Sequence, residues 1–497
     1  MTIRFKPVLV AALAAVMLPY GSAVSAAASA AATASAAAPA SAAVTSAATA
    51  ASKSFKQIIA GNYYSAALRA DGSVWTWGRN LWGELGVLKQ NQITSVAAPV
   101  RLPNLSGITA IATNGAGMQV GLKSDGTVWE WGSIVGLKAS IRESALPQQV
   151  TGVTGATAAV ALNSAGVALK GNGGLIVWTH EASTGKAVVK QVSGTYKWTN
   201  LVSSGDMAFA LDAAGIVWEI GARTERDGTT SIVQPFRLTG IPALKQISPQ
   251  SLYGQMYGID RSGGALKWTL APNAAYDGSK LAPANVIGKA VRIHPELKVK
   301  DIQAGMLLTE AGDVWTLEKG PAGNAGKVKG LSGIVSIASG SYHYLALDAS
   351  GRVWGWGADN WNETGNVRPQ KDGMVYRPVP IQQAIDVYVN GKLLVAPFPA
   401  RIDNGSTSVP MKAVLQAIGG SFSVAADYST AITYKQTTAT LRNGGDFAEI
   451  NGNLVSLPVV QKAFNGVEMI PVGLLKLLGI HATWDAKLGE LRLTGAL

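Results

Sequence analysis

Seven times between Phe55 and Pro380 the chain writes a Leu or Ile, a Gly four residues later, and a Trp or other bulky apolar residue three further on. The copies are Leu68, Gly72, Trp75; Leu122, Gly126, Trp129; Leu169, Gly173, Ile176; Leu211, Gly215, Trp218; Ile259, Gly263, Leu266; Leu308, Gly312, Trp315; and Leu347, Gly351, Trp354. Successive copies are 54, 47, 42, 48, 49 and 39 residues apart. A period of this size marks a repeat architecture, in which each unit buries its apolar face only against its neighbours.

Within one copy, two runs of strand-forming residues, Ser65–Arg69 and Val74–Trp77, flank Asp71-Gly72. Asp-Gly between such runs predicts a hairpin, because the turn needs residues that tolerate positive φ. Asp125-Gly126 repeats it, and in later copies only the glycine persists. Trp75 and Trp77 are two apart and so share one side of their strand, as do Trp129 with Trp131 and Trp354 with Trp356. Ile176 and Leu266 replace the first Trp while Trp178 and Trp268 keep the second. That substitution pattern points to core at the contacts between units. Most copies end in a proline-containing piece, such as Pro99–Leu102, Pro147–Val150, Pro235–Leu238, Pro283–Val286 and Pro378–Ile381. Proline suits edge strands, so these are expected on the outside. The unit is then four short strands, and seven units close a ring: a mainly β, seven-bladed β-propeller.

Arg4 and Lys6, an apolar run from Val8 to Leu18, and small residues from Gly21 to Ala26 have the order of a secretory signal, expected over 1–26 with cleavage after Ala23 or Ala26. Residues 27–52 are almost wholly Ala, Ser and Thr; with no large apolar face to bury, they are expected to form a flexible tether. The propeller is expected over 53–384 and a further domain over 385–497. Cysteine is absent, so neither a disulfide framework nor a thiolate metal site is available. Residues 53–384 hold 31 Lys and Arg against 22 Asp and Glu, a net +9, whereas 385–497 are almost balanced. A basic exported domain suits an anionic wall polymer, nucleic acid or an acidic protein, although no Lys/Arg run appears.

Ala60-Gly61, Ala67-Leu68, Asp71-Gly72, Val74-Trp75, Trp77-Gly78, Asn80 and Gly83-Glu84-Leu85-Gly86, echoed at Ser339-Gly340, His343, Ala346-Leu347, Gly351, Val353-Trp354, Trp356-Gly357, Asn360 and Gly365, resemble the regulator of chromosome condensation repeat family. The resemblance covers roughly residues 55–384 and implies a seven-bladed propeller that binds partners through variable loops. The founding member's nucleotide exchange and chromatin binding do not carry over, since no matching exchange-loop motif is present. Asp386–Lys392, Val409–Gly420 and Ile470–Ile480 resemble the copper amine oxidase N-terminal-like stalk domain. Pro410 and Pro471 each open a helical apolar pattern that stops at Gly419 or Gly479, so this small α+β domain is a duplication. Lys412 and Gly473 stand where that family usually has Arg. His481 is the domain's one histidine, which speaks against a metal role.

No nucleophile elbow, His-Glu-x-x-His helix, phosphate loop or dinucleotide fingerprint occurs. His343 is expected to hydrogen-bond inside its blade, and Asp206, Asp260, Asp301 and Asp313 to sit in turns and strand ends. No cofactor or metal is expected. The reading is an exported, non-catalytic binding or scaffold protein, secreted or wall-associated, with no membrane span once the signal is cleaved. Its partner would be a protein or an anionic cell-wall polymer. The alternatives are a carboxylate-based glycan-active enzyme and a basic propeller that binds nucleic acid. Candidate partner-binding residues are Trp82 and Trp361, each beside amide and acidic groups, with Asn80 and Asn360. Thr179–Lys197 and Pro272–Pro295 are expected to protrude as recognition loops.

Overall fold

The computed structural model describes residues 23–24, 53–87, 93–133, 146–181, 184–224, 230–250, 254–271, 286–317, 325–365, 372–396, 398–403, 405–442, 445–457, 463–464 and 467–495. Apart from Ala23–Val24, the expected signal and tether lie outside them.

Seven antiparallel sheets follow one another along the chain, each made of four consecutive strands. Blade 1 is Phe55–Ala60, Tyr64–Arg69, Val74–Arg79 and Ser95–Arg101. Blade 7 is Ile334–Ser339, His343–Asp348, Val353–Ala358 and Met374–Pro380. The first strand of each blade packs on the first strand of its neighbours, so the first strands form the inner ring and the fourth strands, with proline in blades 1, 4 and 7, the rim. In blade 4 the two-residue strand Ala23–Val24 adds to the inner edge at Val202 and Leu201.

The recurring glycine earns its place three times over. Gly72, Gly126 and Gly215 have φ near +78°, where side-chain-bearing residues are strained. A Cβ on Gly72 or Gly126 would come within 2.9 or 2.8 Å of the backbone opening the next blade. Their carbonyls accept hydrogen bonds from Ile108 and Ala156, the first residues of the next inner strands, at 3.1 and 3.0 Å. Gly215 and Gly263 do the same for Leu244 and Val299, and Gly351 does it for Phe55. The hairpin glycine is therefore the backbone link from blade to blade, and its seventh instance closes the circle. A side-chain link runs beside it. Gln57 in blade 1 exchanges two hydrogen bonds with the backbone of Ile111 in blade 2, and Gln246 donates to the Ile302 carbonyl in blade 6. Asp301 belongs to this inner series rather than to a turn: it is half-buried within Val299–Gln303, accepts from Gln246, and its carboxyl is pushed up by burial.

The tryptophans divide their work. Trp77 joins Ile58 and Ala60 in a cluster with Leu345, Leu347 and Val353 of blade 7, and Trp131 packs on Leu68 and Val74 of blade 1. The second Trp is thus core facing the preceding blade. The first Trp seals the turn: Trp218 and Trp354 donate to Asp212 and Asp348, and Trp75 to Ser73. Each of two expected loops contains a strand, and residues 272–285 of the second lie outside the described residues. Ala187–Val192 and Val286–Ile293 are the rim strands of blades 3 and 5, paired to Leu175–His180 and Ala265–Leu270.

The C-terminal domain has two helices, α1 (Met411–Ile418) and α2 (Val472–Leu477), each entered from a strand through proline. Those strands pair antiparallel with Val409 opposite Ile470, so the duplicated motifs meet back to back. Gly419 and Gly479 follow the helices at φ of 83° and 85°, as the left-handed exit requires. This domain is not held away as a spacer. Phe398 and Met469 enter the apolar cluster of blade 1. Asp386, almost wholly buried, receives Lys53 at 2.7 Å, Arg69 at 2.9 Å and Arg101 at 3.0 Å. Arg69 also donates to the Ala384 carbonyl and lies over the Trp75 ring. Burial pushes the Asp386 carboxyl up, but the Arg69, Lys53 and Arg101 cations outweigh it and hold it below the ordinary range.

Candidate functional site at the junction of blades 7 and 1

The third and fourth strands of blades 1 and 7 are joined at the face opposite the hairpin turns, and there the chain builds the same loop twice. Asn80 accepts from the Leu85 amide at 3.2 Å, and Asp359 accepts from the Thr364 amide at 2.8 Å. Glu84 accepts from the Trp82 amide, Glu363 from the Trp361 amide. Gly83 and Asn362 hold φ of 80° and 64°. The structural counterpart of Asn80 is therefore Asp359, one residue before the Asn360 that the sequence pairs with it. Asn80 is fully buried and spends its amide on Leu85 and Ile93, so it cannot meet a partner. Asn360 is exposed.

Each loop reaches the next blade. Glu84 offers its carbonyl to Gln119 of blade 2, and Glu363 offers its carbonyl to Ser65 and Trp77 of blade 1, at 2.8 and 3.0 Å. His343 Nε2 lies 2.8 Å from Ser65 Oγ. Because that hydroxyl donates to Glu363, the imidazole must donate from Nε2, leaving Nδ1 as a bare acceptor. Burial pushes His343 down to about 3, so the ring is neutral. His343 thus works across the seam, not inside its blade; which strand lies opposite could not be read from the repeat itself. Ser341 to Asn62 and Asn362 to Ser95 complete the closure.

The two loops differ at two charge-bearing positions, Arg79 and Asn80 in blade 1 standing where blade 7 has Ala358 and Asp359. Arg79 pairs with Glu84 at 2.7 Å, whereas Ala358 occupies the Arg79 position in blade 7. Glu363 and Asp359 are consequently buried without a paired cation, with Oε1 and Oδ2 unpartnered. Burial pushes Glu363 up to about 8 and Asp359 up to about 7. Both hold protons in a range where ordinary carboxyls do not.

Around this frame the surface is aromatic. Trp82 is 41% and Tyr342 45% exposed, Trp361 is half-buried, and Tyr63 stands 6.3 Å from Tyr342. Arg79 lies over the Tyr63 ring at 4.5 Å. The sequence pointed to the two tryptophans but missed the tyrosines, whose only signal was their place just before the second strands. Rigid aromatic side chains beside exposed amides can supply contact area and orienting hydrogen bonds at low entropic cost. Among the described residues no group of three or more His, Cys, Asp or Glu is placed to hold a metal ion, and no helix is long and apolar enough to cross a membrane.

This geometry agrees with what the chain is similar to. Residues 55–81 and 334–362 match the regulator of chromosome condensation (RCC1) repeat, 71–115 match a second model of that repeat, and 388–493 match the copper amine oxidase N-terminal domain. The chain is therefore a propeller whose first and seventh blades match the RCC1 repeat, followed by a domain that matches the copper amine oxidase N-terminal domain. Among curated proteins it is 40% identical over 78 residues to the probable E3 ubiquitin-protein ligase HERC3 of Homo sapiens, covering 15% of this chain and 7% of that protein. The E3 ubiquitin-protein ligase HERC2 of Mus musculus is 32% identical over 83 residues, 16% of this chain and 2% of that protein. The chain thus spans less than a tenth of these relatives. Among solved structures, Prp20p from Saccharomyces cerevisiae aligns at 15% identity and a TM-score of 0.46, covering 67% of this chain and 88% of that one.

Proposed function

We propose that this chain is an exported, non-catalytic binding protein whose propeller engages a partner protein through the loop face where blades 7 and 1 meet. The observation that carries this is the exposure of Trp82 and Tyr342, with Trp361 and Asn360, on loops whose buried groups hydrogen-bond across the ring seam. A frame this constrained presents its aromatic side chains in fixed positions, which lowers the ordering cost of binding. The N-terminal charge, apolar run and small residues support export.

The test is retention of the purified chain, and of a Trp82→Ala, Tyr342→Ala variant, on immobilised secreted and wall-extracted proteins of the producing cells. A protein retained by the parent and released by the variant supports the reading. Equal retention by both, or none by either, rejects it. Mature protein in the culture medium beginning at Val24 or Ala27 would support export.

A further inference from the structure

On the opposite face, where the hairpins turn, the inner strands share a feature that the repeat signature does not contain. In all seven blades the pairing of the first with the second strand slips by one residue at the second position of the inner strand. The extra residues are Lys56, Thr109, Thr157, Thr199, Lys245, Lys300 and Val335, and each is exposed. A β-bulge of this kind leaves one residue unpaired and turns its side chain out of the ladder. Because the inner strands encircle the propeller axis, these seven side chains form a ring around it.

The ring has two sectors. In blades 2, 3 and 4 it carries threonines, whose hydroxyls are spent on the carbonyls of Leu122, Leu169 and Leu211. From blade 5 round to blade 1 it reads Lys245, Lys300, Val335 and Lys56, and no position in the ring is acidic. Lys298, exposed two residues before Lys300, and Lys245 both reach the Gly263 turn, as does the Glu310 carboxylate, and the Asp71 carboxylate acts on Lys56. Among the described residues, none of the three ring lysines makes a salt bridge or a side-chain hydrogen bond. Three unpaired ammonium groups held on one side of a ring, with an apolar side chain between two of them, form a site for negative charge.

The same face shows what charge it takes. On blade 1, Lys53, Arg69 and Arg101 close on the carboxylates of Asp386 and Glu490 from the C-terminal domain. We propose that the lysine sector of this bulge ring, Lys245, Lys300 and Lys56 with Lys298, is a second docking surface that takes an acidic polypeptide segment through its carboxylates. It is independent of the aromatic site on the opposite face.

The test uses the full mature chain and titrates poly-L-glutamate, inorganic polyphosphate and duplex DNA at low and moderate salt. Poly-L-glutamate is expected to bind in a salt-dependent way. The Lys56→Gln, Lys245→Gln, Lys300→Gln variant is expected to weaken it about tenfold or more, a loss of about 1.4 kcal/mol or greater. A charge-matched control, Lys170→Gln, Lys190→Gln, Lys197→Gln on blade 3, should leave it within about twofold, as should Trp82→Ala. All these positions are exposed or half-exposed, and circular dichroism checks that each variant is folded. The proposal is overturned if poly-L-glutamate does not bind, if the control weakens binding as much as the ring variant, or if polyphosphate or DNA binds as tightly as poly-L-glutamate.

Discussion

Replacing Asp386 by Asn should uncouple the C-terminal domain from the propeller. The carboxylate is almost wholly buried and is the shared partner of Lys53, Arg69 and Arg101. Asn keeps the shape and one acceptor but removes the charge, leaving Arg69, itself buried, with the Ala384 carbonyl as its main remaining partner. Removing one member of a buried ion pair costs about 3–5 kcal/mol, because the other charge stays desolvated. Retention of an amide acceptor and the neighbouring Glu490, which lies 3.4 Å from Lys53, place the expected loss near the lower end, about 3 kcal/mol. The pH dependence follows from the depressed carboxyl. Its contribution is fully present above the unfolded value near 4 and is lost as pH falls through the lower folded value. Calorimetry from pH 7 to pH 2 is the assay. The parent should show the C-terminal domain melting together with the propeller at pH 7, and the variant should show it melting separately and earlier. The two should converge at the acid end. A variant within about 0.5 kcal/mol of the parent at pH 7, with the same pH profile, would refute the latch.

Asp359 and Glu363, raised to about 7 and about 8, make the folded seam hold protons that the unfolded chain releases, so stability should fall as pH rises from about 4 to 8. Glu363→Gln should flatten part of that slope and stabilise the protein at pH 8, as read by urea unfolding; an unchanged slope would contradict the assignment. Ser65→Ala removes the bridge between His343 and the Glu363 carbonyl and should cost about 1–3 kcal/mol, since the buried His343 N–H loses its acceptor and the Glu363 carbonyl loses one of its two donors. Gly355→Ala puts a Cβ 2.1 Å from the Thr364 carbonyl, which should destabilise the seam by more than about 2 kcal/mol, whereas Gly330→Ala, with open space around it, should be limited to its positive-φ strain.

The propeller was legible because the glycine, leucine and tryptophan positions recur for reasons local to one blade: a turn, a buried strand and a blade contact. Pro410 and Pro471 were legible for the same reason, as helix entries. What was not legible is what depends on distant partners. Asp386 reads in sequence as the start of a strand, and nothing local says that three cations from residues 53–101 converge on it. Asn80 and Asn360 pair by residue type, but Asn80 stands two residues after Gly78 and Asn360 three after Gly357, and the hydrogen bonds to Leu85 and Thr364 align Asn80 with Asp359. The bulge ring was invisible because Lys, Thr and Val alternate at its position with no shared chemistry; only the slipped register reveals that the position is one.

Binding at the junction of blades 7 and 1 is tested most directly by site-specific photocrosslinking. A photoreactive phenylalanine analogue is placed singly at Trp82, Tyr342 or Trp361 on the loop face, and at exposed Val424 in the C-terminal domain as a control. With the chain produced in its own cells, one partner protein should crosslink at the loop-face positions and not at Val424. Crosslinks to the same protein at Val424 alone, or none from any loop-face position, would contradict the proposed site.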